Sequence, residues 1–172
     1  MSPTDTGVLD TLGMFDAAFG LPDQMAAAVE LASSVDGLPD ASAVTSILVL
    51  GMGGSGISGD IMALVASEHG RVPVEVSRHY ELPAHVGPHT LVMAVSFSGD
   101  TEETVVAAEA AVAAGAPVVA VTTGGALGDL VSAAGGGVCG LPKGIPLPRA
   151  ALGAVGLTPV VLATRLGLLN DT

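Results

Sequence analysis

The chain has 172 residues, of which 49% are hydrophobic and 2% aromatic, and its formal net charge at pH 7 is −12. This length suits one domain with a sizeable core. The acidic charge and the scarcity of aromatic side chains exclude nucleic acid and anionic membranes as partners, because both favour basic patches and single strands also need stacking platforms.

The first predicted element is a helical segment over 8–35, broken near Gly20-Leu21-Pro22, with Asp23 as the N-cap of its second piece. A loop over 37–40 follows, and then apolar strand-like runs alternate with helix-like segments. The predicted strands are 46–50, 72–76, 90–95, 117–122 and 137–141, and the predicted helices are 55–67, 101–114, 126–134 and one that begins near Pro148. This alternation predicts an α/β fold with a parallel sheet that helices cover on both faces.

The last predicted helix lies in a largely apolar stretch, residues 150–169, that has nearly the length of a membrane span. Arg149 and Arg165 bracket most of this stretch, and Pro159 lies inside it. Ionisable residues are rare within membrane spans. We therefore interpret the stretch as a buried or interface helix.

The remaining candidate groups offer little chemistry. Cys139 is the only cysteine, so no intrachain disulfide forms, and the first residues lack the basic start and apolar run of a signal peptide. We therefore expect a cytoplasmic protein in which Cys139 is a small core residue. His79, His85 and His89 lack the spacing of a recognised metal site, so no metal and no cofactor are expected.

Two loops rich in serine and glycine carry most of the functional information. The first, Gly51-Met52-Gly53-Gly54-Ser55-Gly56, follows one predicted strand, and the second, Ser96-Phe97-Ser98-Gly99-Asp100-Thr101, follows another. Each loop opens a predicted helix. Backbone N–H groups at a helix N-terminus, together with the helix dipole, favour an anion, most often a phosphate.

Two other interpretations of these loops are open at this stage. Ser55, Ser98 and Thr101 are residue types that commonly cap helices. Gly51, Gly53 and Gly56 also satisfy the spacing of the dinucleotide fingerprint, with Glu75 as the acidic residue that would hold the ribose. The presence of hydroxyls on both loops favours phosphate binding over either alternative.

Three segments, Gly51 to Asp60, Ser96 to Thr104 and Pro148 to Gly153, together resemble the sugar isomerase (SIS) domain. They are most similar to the amino-terminal half of bifunctional phosphoglucose/phosphomannose isomerases. The resemblance implies a three-layer sandwich with a five-stranded parallel sheet, of the flavodoxin-like or Rossmann-like kind. It also implies an N-terminal helical segment over 1–40 and a single SIS domain over 41–172.

The resemblance further assigns roles to individual residues. Gly54, Ser55, Ser96, Ser98 and Thr101 would bind the sugar phosphate, and Arg149 would stabilise an enediolate during aldose–ketose isomerisation. The expected ligands are fructose 6-phosphate, glucose 6-phosphate and mannose 6-phosphate. In the family the catalytic glutamate, a histidine and a lysine match positions in a second SIS domain, which this sequence does not include.

The sequence therefore predicts the phosphosugar-binding half of an isomerase, paired with a second SIS domain or with a second copy of the chain. The first alternative is a SIS module that binds a phosphosugar without catalysis. The second and weaker alternative is a nucleotide-binding domain that uses the glycine fingerprint of the first loop.

Overall fold

The computed structural model describes residues 10–170 and contains a five-stranded, fully parallel sheet with the strand order β2-β1-β3-β4-β5. The strands are β1 (Ser46–Leu50), β2 (Val74–Ser77), β3 (Thr90–Val95), β4 (Val118–Thr122) and β5 (Val138–Gly140). The predicted three-layer α/β fold is confirmed. The strands form because continuous apolar runs can be buried on both faces of a parallel sheet.

Six α-helices surround the sheet in the described part of the chain. They are α1 (Met14–Phe19), α2 (Leu21–Ser34), α3 (Gly53–His69), α4 (Glu102–Ala113), α5 (Gly125–Ala133) and α6 (Leu152–Arg165). Short 3₁₀ turns at Ala41–Ala43 and Pro148–Ala150 precede β1 and α6. The predicted elements are thus present in the predicted order; residues 8 and 9 of the first predicted helix lie outside the described residues.

Alternate side chains of each strand point to opposite faces, so the sheet has a core on each side. Ile47 and Val49 of β1 pack with α2, α3 and α6, whereas Leu48 and Leu50 pack with α4 and α5. Alanines form the buried side of α4, and their small side chains let this helix approach the sheet closely. The core is therefore built mainly from aliphatic side chains and alanines.

Asp23 is not the N-cap of the second helix, which corrects the prediction. The N-cap is Gly20, and Asp23 lies in the first turn. Pro22 occupies one of the first two helical positions, where its missing N–H costs nothing and its fixed φ favours the helix. The helix therefore starts before Asp23, and the carboxylate faces the positive end of the helix dipole instead.

The apolar stretch near the C-terminus is a buried helix, as predicted. Most of α6 is covered by α2, α3 and the sheet, and Pro159 lies within the helix. The Arg165 guanidinium bonds the carbonyl oxygens of Ala32 at 2.5 Å and Val35 at 3.2 Å, so it joins the end of α6 to the end of α2. None of the helices formed by residues 10–170 is both long and apolar enough to cross a membrane.

Candidate functional site

The two serine- and glycine-rich loops lie side by side at one edge of the sheet. Strands β1 and β3 are neighbours, with Leu50 paired to Ala94, so their carboxyl ends leave the sheet together. The first loop leads into α3 and the second into α4. In parallel sheets this edge is where ligands bind.

A hydrogen bond joins the two loops directly. The backbone N–H of Phe97 in the second loop donates to Ser55 Oγ in the first at 3.3 Å. Ser55 is buried, as the third residue of α3. Its hydroxyl therefore fixes the separation of the loops.

Within the second loop, the hydroxyls have different surroundings. Ser96 is fully buried, and its Oγ lies 2.9 Å from Thr101 Oγ1 and accepts from the N–H of Gly99 at 3.0 Å. Ser98 is exposed, and its Oγ accepts only a local bond from the N–H of Asp100 at 3.2 Å. Ser96 thus organises the loop, whereas the Ser98 hydroxyl is exposed and free to donate to solvent or a ligand.

Neither α3 nor α4 is capped by a side chain. Met52 is the N-cap of α3 and Thr101 that of α4, and neither side chain bonds a backbone N–H of its helix. Thr101 therefore occupies the N-cap position without a capping bond from its side chain, and Ser55 lies inside α3 and is not its N-cap. The first N–H groups of a helix have no partner within it, so two sets of donors, one on each helix, are available at this edge.

The Pro148–Ala150 turn lies against the first loop. A Cβ placed on Gly54 would lie 3.8 Å from the carbonyl oxygen of Pro148 and 4.0 Å from the Cα of Arg149. The turn therefore touches the first turn of α3. Gly54 and Arg149, which the sequence comparison treats as separate motifs, are brought together.

Arg149 is exposed, and within residues 10–170 no protein oxygen bonds its guanidinium. The other arginines have structural partners. Arg78 pairs with Asp60 at 2.5 Å, Arg71 bonds Asn170 at 2.9 Å, and Arg165 bonds helix carbonyls. The backbone of Arg149 lies beside the uncapped start of α3, and a charged guanidinium without a protein partner suits recognition of an anion.

A third loop, which follows β4, lies at the same edge of the sheet. Its involvement was not predicted from the sequence. Thr123 donates from Oγ1 to the carbonyl oxygen of Phe97 at 2.7 Å, and its N–H donates to the same atom at 3.1 Å. Asp100 Oδ1 accepts from the N–H of Ala126 at 2.9 Å, at the start of α5. The signal was available, since Thr122-Thr123-Gly124-Gly125 is again a run of small residues between a strand and a helix.

The acidic residues near the site lie where the helix dipole stabilises them. Glu102 and Glu103 are in the first turn of α4. Partial burial, together with the charges of Glu102 and Glu103, raises the pKa of Tyr80 above its usual range. The connection after β2 that carries Tyr80 therefore comes close to the N-terminus of α4.

Two other candidate residues, Glu75 and Cys139, lie within strands β2 and β5 and not in the loops that follow the strands. Glu75 lies in the middle of β2, and its carboxylate is 3.2 Å from His85 Nε2, so it is not placed at the strand end as a ribose ligand would be. Burial raises the pKa of Cys139 to about 11, which makes it an unreactive core thiol at neutral pH. Among residues 10–170, no group of three His, Cys, Asp or Glu side chains has the arrangement of a metal site.

Comparison with known proteins identifies relatives over most of the chain. A family model described as the SIS domain matches residues 41–129, just over half of the chain. A bifunctional phosphoglucose/phosphomannose isomerase of Caldicellulosiruptor bescii is 38% identical over 157 residues, a match that covers 91% of the chain and 46% of the relative. The chain therefore spans about half the length of this relative.

Solved structures share the fold at lower identity. The Vibrio vulnificus NanR protein complexed with ManNAc-6P matches with a TM-score of 0.67 and 23% identity, over 88% of this chain and 61% of that one. The tagatose-6-phosphate ketose/aldose isomerase of Escherichia coli matches with a TM-score of 0.66 and 18% identity, over 98% and 51% of the two chains. Both comparisons support the same three-layer arrangement.

Proposed function

The chain belongs to the SIS domain family, and we propose that it is the phosphosugar-binding part of an aldose–ketose isomerase for glucose 6-phosphate and mannose 6-phosphate. The observation that carries this proposal is the pair of uncapped helix N-termini at one edge of the sheet, joined through Ser55 and Phe97. The relative of 38% identity has a name that states this activity.

In this proposal the phosphate lies between the starts of α3 and α4. The N–H of Gly54 and those of neighbouring residues bind its oxygens, and the Ser98 hydroxyl donates a further bond. Ser55 contributes mainly by joining the two loops, and Ser96 and Thr101 by holding the shape of the second loop. Such local donors are needed because the net charge of −12 disfavours an anion at long range.

Arg149 then acts on the other end of the sugar. Aldose–ketose interconversion moves a proton between C2 and C1 through an enediolate, whose oxygen carries negative charge in the transition state. A guanidinium that stays protonated at every working pH stabilises that charge as it develops. The proton transfer also needs a base within hydrogen-bond reach, which we propose a second SIS domain supplies.

A site shared between two SIS domains fits a chain that spans 46% of the relative's length. The division into an N-terminal helical segment over 1–40 and a SIS domain over 41–172 is part of this proposal, and its residues 1–9, 171 and 172 lie outside the described residues. We also propose that the protein acts in the cytoplasm. A second SIS domain, or a second copy of this chain, completes the site. If no second domain supplies a base, the chain is instead a module that binds phosphosugars without turnover.

Ser98→Ala tests the phosphate site by isothermal titration with inorganic phosphate and with fructose 6-phosphate. The variant removes a hydroxyl that is exposed and makes only a local bond, so the fold stays intact. We expect both ligands to bind about ten- to a hundredfold more weakly, because a hydrogen bond to a charged group contributes about 1.5–3 kcal/mol.

Ser67→Ala is the matched control, since Ser67 is exposed on the far end of α3 and bonds only the carbonyl oxygen of Leu64. It should leave both affinities unchanged. Binding of NADH by an unmodified chain that ignores both phosphates would contradict the proposal. In a coupled isomerase assay on the unmodified chain, turnover that Arg149→Ala abolishes would favour the isomerase over the binding module.

A further inference from the structure

A buried amide links the N-terminal helices to the turn that carries Arg149. Gln24 of α2 is 8% exposed, and its Nε2 donates to the carbonyl oxygen of Ala150 at 2.9 Å. The same nitrogen donates to the carbonyl oxygen of Ala17 in α1 at 3.2 Å. One side chain therefore connects α1, α2 and the residue that follows Arg149.

The Gln24 Oε1 atom is buried and has no hydrogen-bond partner among the described residues. Burying an acceptor without a partner is unfavourable, and an apolar side chain of similar size would avoid that cost. We therefore attribute the amide at position 24 to the two hydrogen bonds that its Nε2 atom donates, and not to packing.

The turn makes few other hydrogen bonds, although Ala150 and the following Ala151 are buried. The bonds of Ala150 N to Leu147 and Ala151 N to Pro148 are local, and in the part of the chain described here the Gln24 contact is the only hydrogen bond from this turn to another element. The preceding residues 142–146 border an open cleft of about 520 Å³ beside α1 and α2. The position of Arg149 beside Gly54 thus depends on the packing of these alanines and on the one hydrogen bond from Gln24.

We propose that Gln24 is a positioning residue that holds the Arg149 turn against the first loop and so aims the guanidinium at the sugar. This inference rests on the proposed function. Gln24 does not touch the ligand; it acts through the backbone of Ala150. The phosphate, which the two loops bind, is independent of it.

Gln24→Met removes the amide while keeping the length and volume of the side chain. We expect 5-phosphoarabinonate, which carries a carboxylate near the position of the enediolate oxygens, to bind about three- to tenfold more weakly, as expected for one lost hydrogen bond. Inorganic phosphate should bind within twofold of the unmodified chain. Isothermal titration measures both.

A double-mutant cycle shows whether the effect passes through Arg149. In an Arg149→Ala background, Gln24→Met should weaken 5-phosphoarabinonate no further, whereas an equal loss in both backgrounds would overturn the proposal. Thr158→Val is the matched control, because it removes a buried hydrogen bond of α6 to Ala154 without touching the turn. It should leave both probes unaffected.

Hydrogen exchange gives a test that needs no ligand. In Gln24→Met the amides of Ala150 and Ala151 should exchange at least about fivefold faster, while those of β1 keep their protection. Unchanged exchange at this turn would overturn the proposal even if neither probe binds, whereas failure of phosphate to bind the unmodified chain would count only against the proposed function. If Gln24→Met does not fold, Gln24→Asn withdraws the amide by one methylene and gives the same test.

Discussion

Gly99 shows how closely the second and third loops approach each other. Its φ is +81°, and a Cβ would collide with the carbonyl oxygen of Gly124 and lie 2.7 Å from Thr122 Oγ1. Gly99→Ala should therefore lower the free energy of unfolding by about 2–3 kcal/mol, from a strained φ and a backbone collision together. Urea denaturation measures this change.

Gly135→Ala is a control matched in φ. Gly135 has a φ of +79°, and a Cβ there would meet no atom within 4 Å. The substitution carries only the cost of the left-handed conformation, about 1 kcal/mol. If both variants lose the same stability, the close approach of the two loops is not what requires glycine at position 99.

The sequence predicts the roles of single residues less well than their presence in a motif. Ser96 and Ser98 stand two apart in one motif, and the sequence assigns them equal roles as phosphate ligands. The structure separates them, because Ser96 is buried in the bonds of its own loop while Ser98 is exposed. That difference depends on the path of the loop backbone, which no pattern of residue types specifies.

At the scale of elements, the start of α5 depends on a carboxylate from another loop. Its N-cap, Gly124, has no side chain, and Asp100 Oδ1 accepts from the N–H of Ala126 instead. Asp100→Ala should lower the free energy of unfolding by about 1 kcal/mol, the usual contribution of a capping bond. It should also speed amide exchange in the first turn of α5 while leaving α4 protected.

Asp129→Ala controls for the removal of a negative charge. Asp129 is an exposed residue of α5 itself, without a hydrogen bond among the residues described. It should change stability by less than about 0.5 kcal/mol, as is usual for exposed sites. Equal effects of the two substitutions on exchange in α5 would show that the carboxylate of Asp100 acts only through its charge.

Element positions were largely predictable, whereas element ends were less so. Strands β1 and β3 begin and end as predicted, because continuous apolar runs flanked by small or polar residues leave little choice. The predicted start of α2 was wrong because Pro22 fits the first turn of a helix, so the helix begins before Asp23. The capping of α5 by Asp100 was not predictable, since the two partners lie 26 residues apart in sequence.

At the scale of the whole molecule, an apolar groove opens between α2, α3 and α6. The side chains that line it are apolar, and Gly153 and Gly156 form part of its floor; the other lining residues are Leu21, Met25, Ile61, Leu152 and Leu157. Met25 and Leu152 are about two-fifths exposed. The sequence places the apolar surface on the final helix, but α6 is mostly buried, and α2 and α3 provide much of the exposed surface.

Leu64 extends this groove along α3, three residues beyond Ile61 and therefore on the same side of the helix. It is 70% exposed and so continues the apolar surface of the groove along α3. We propose that a second copy of the chain covers the groove, because an exposed apolar surface of this kind favours a self-complementary interface.

We therefore expect a dimer that a single charged substitution at Leu64 dissociates. Sedimentation equilibrium of the unmodified chain at micromolar concentrations should give twice the mass of one chain. Leu64→Glu should shift the mass to that of a monomer, because the new carboxylate would have to be desolvated at the interface. Val106→Glu is the matched control, since Val106 is 39% exposed on α4, across the sheet from the groove. A monomeric unmodified chain, or equal dissociation by both substitutions, would contradict self-association through the groove. Phosphate binding should survive in the Leu64→Glu monomer, because both loops of the proposed phosphate site belong to one chain.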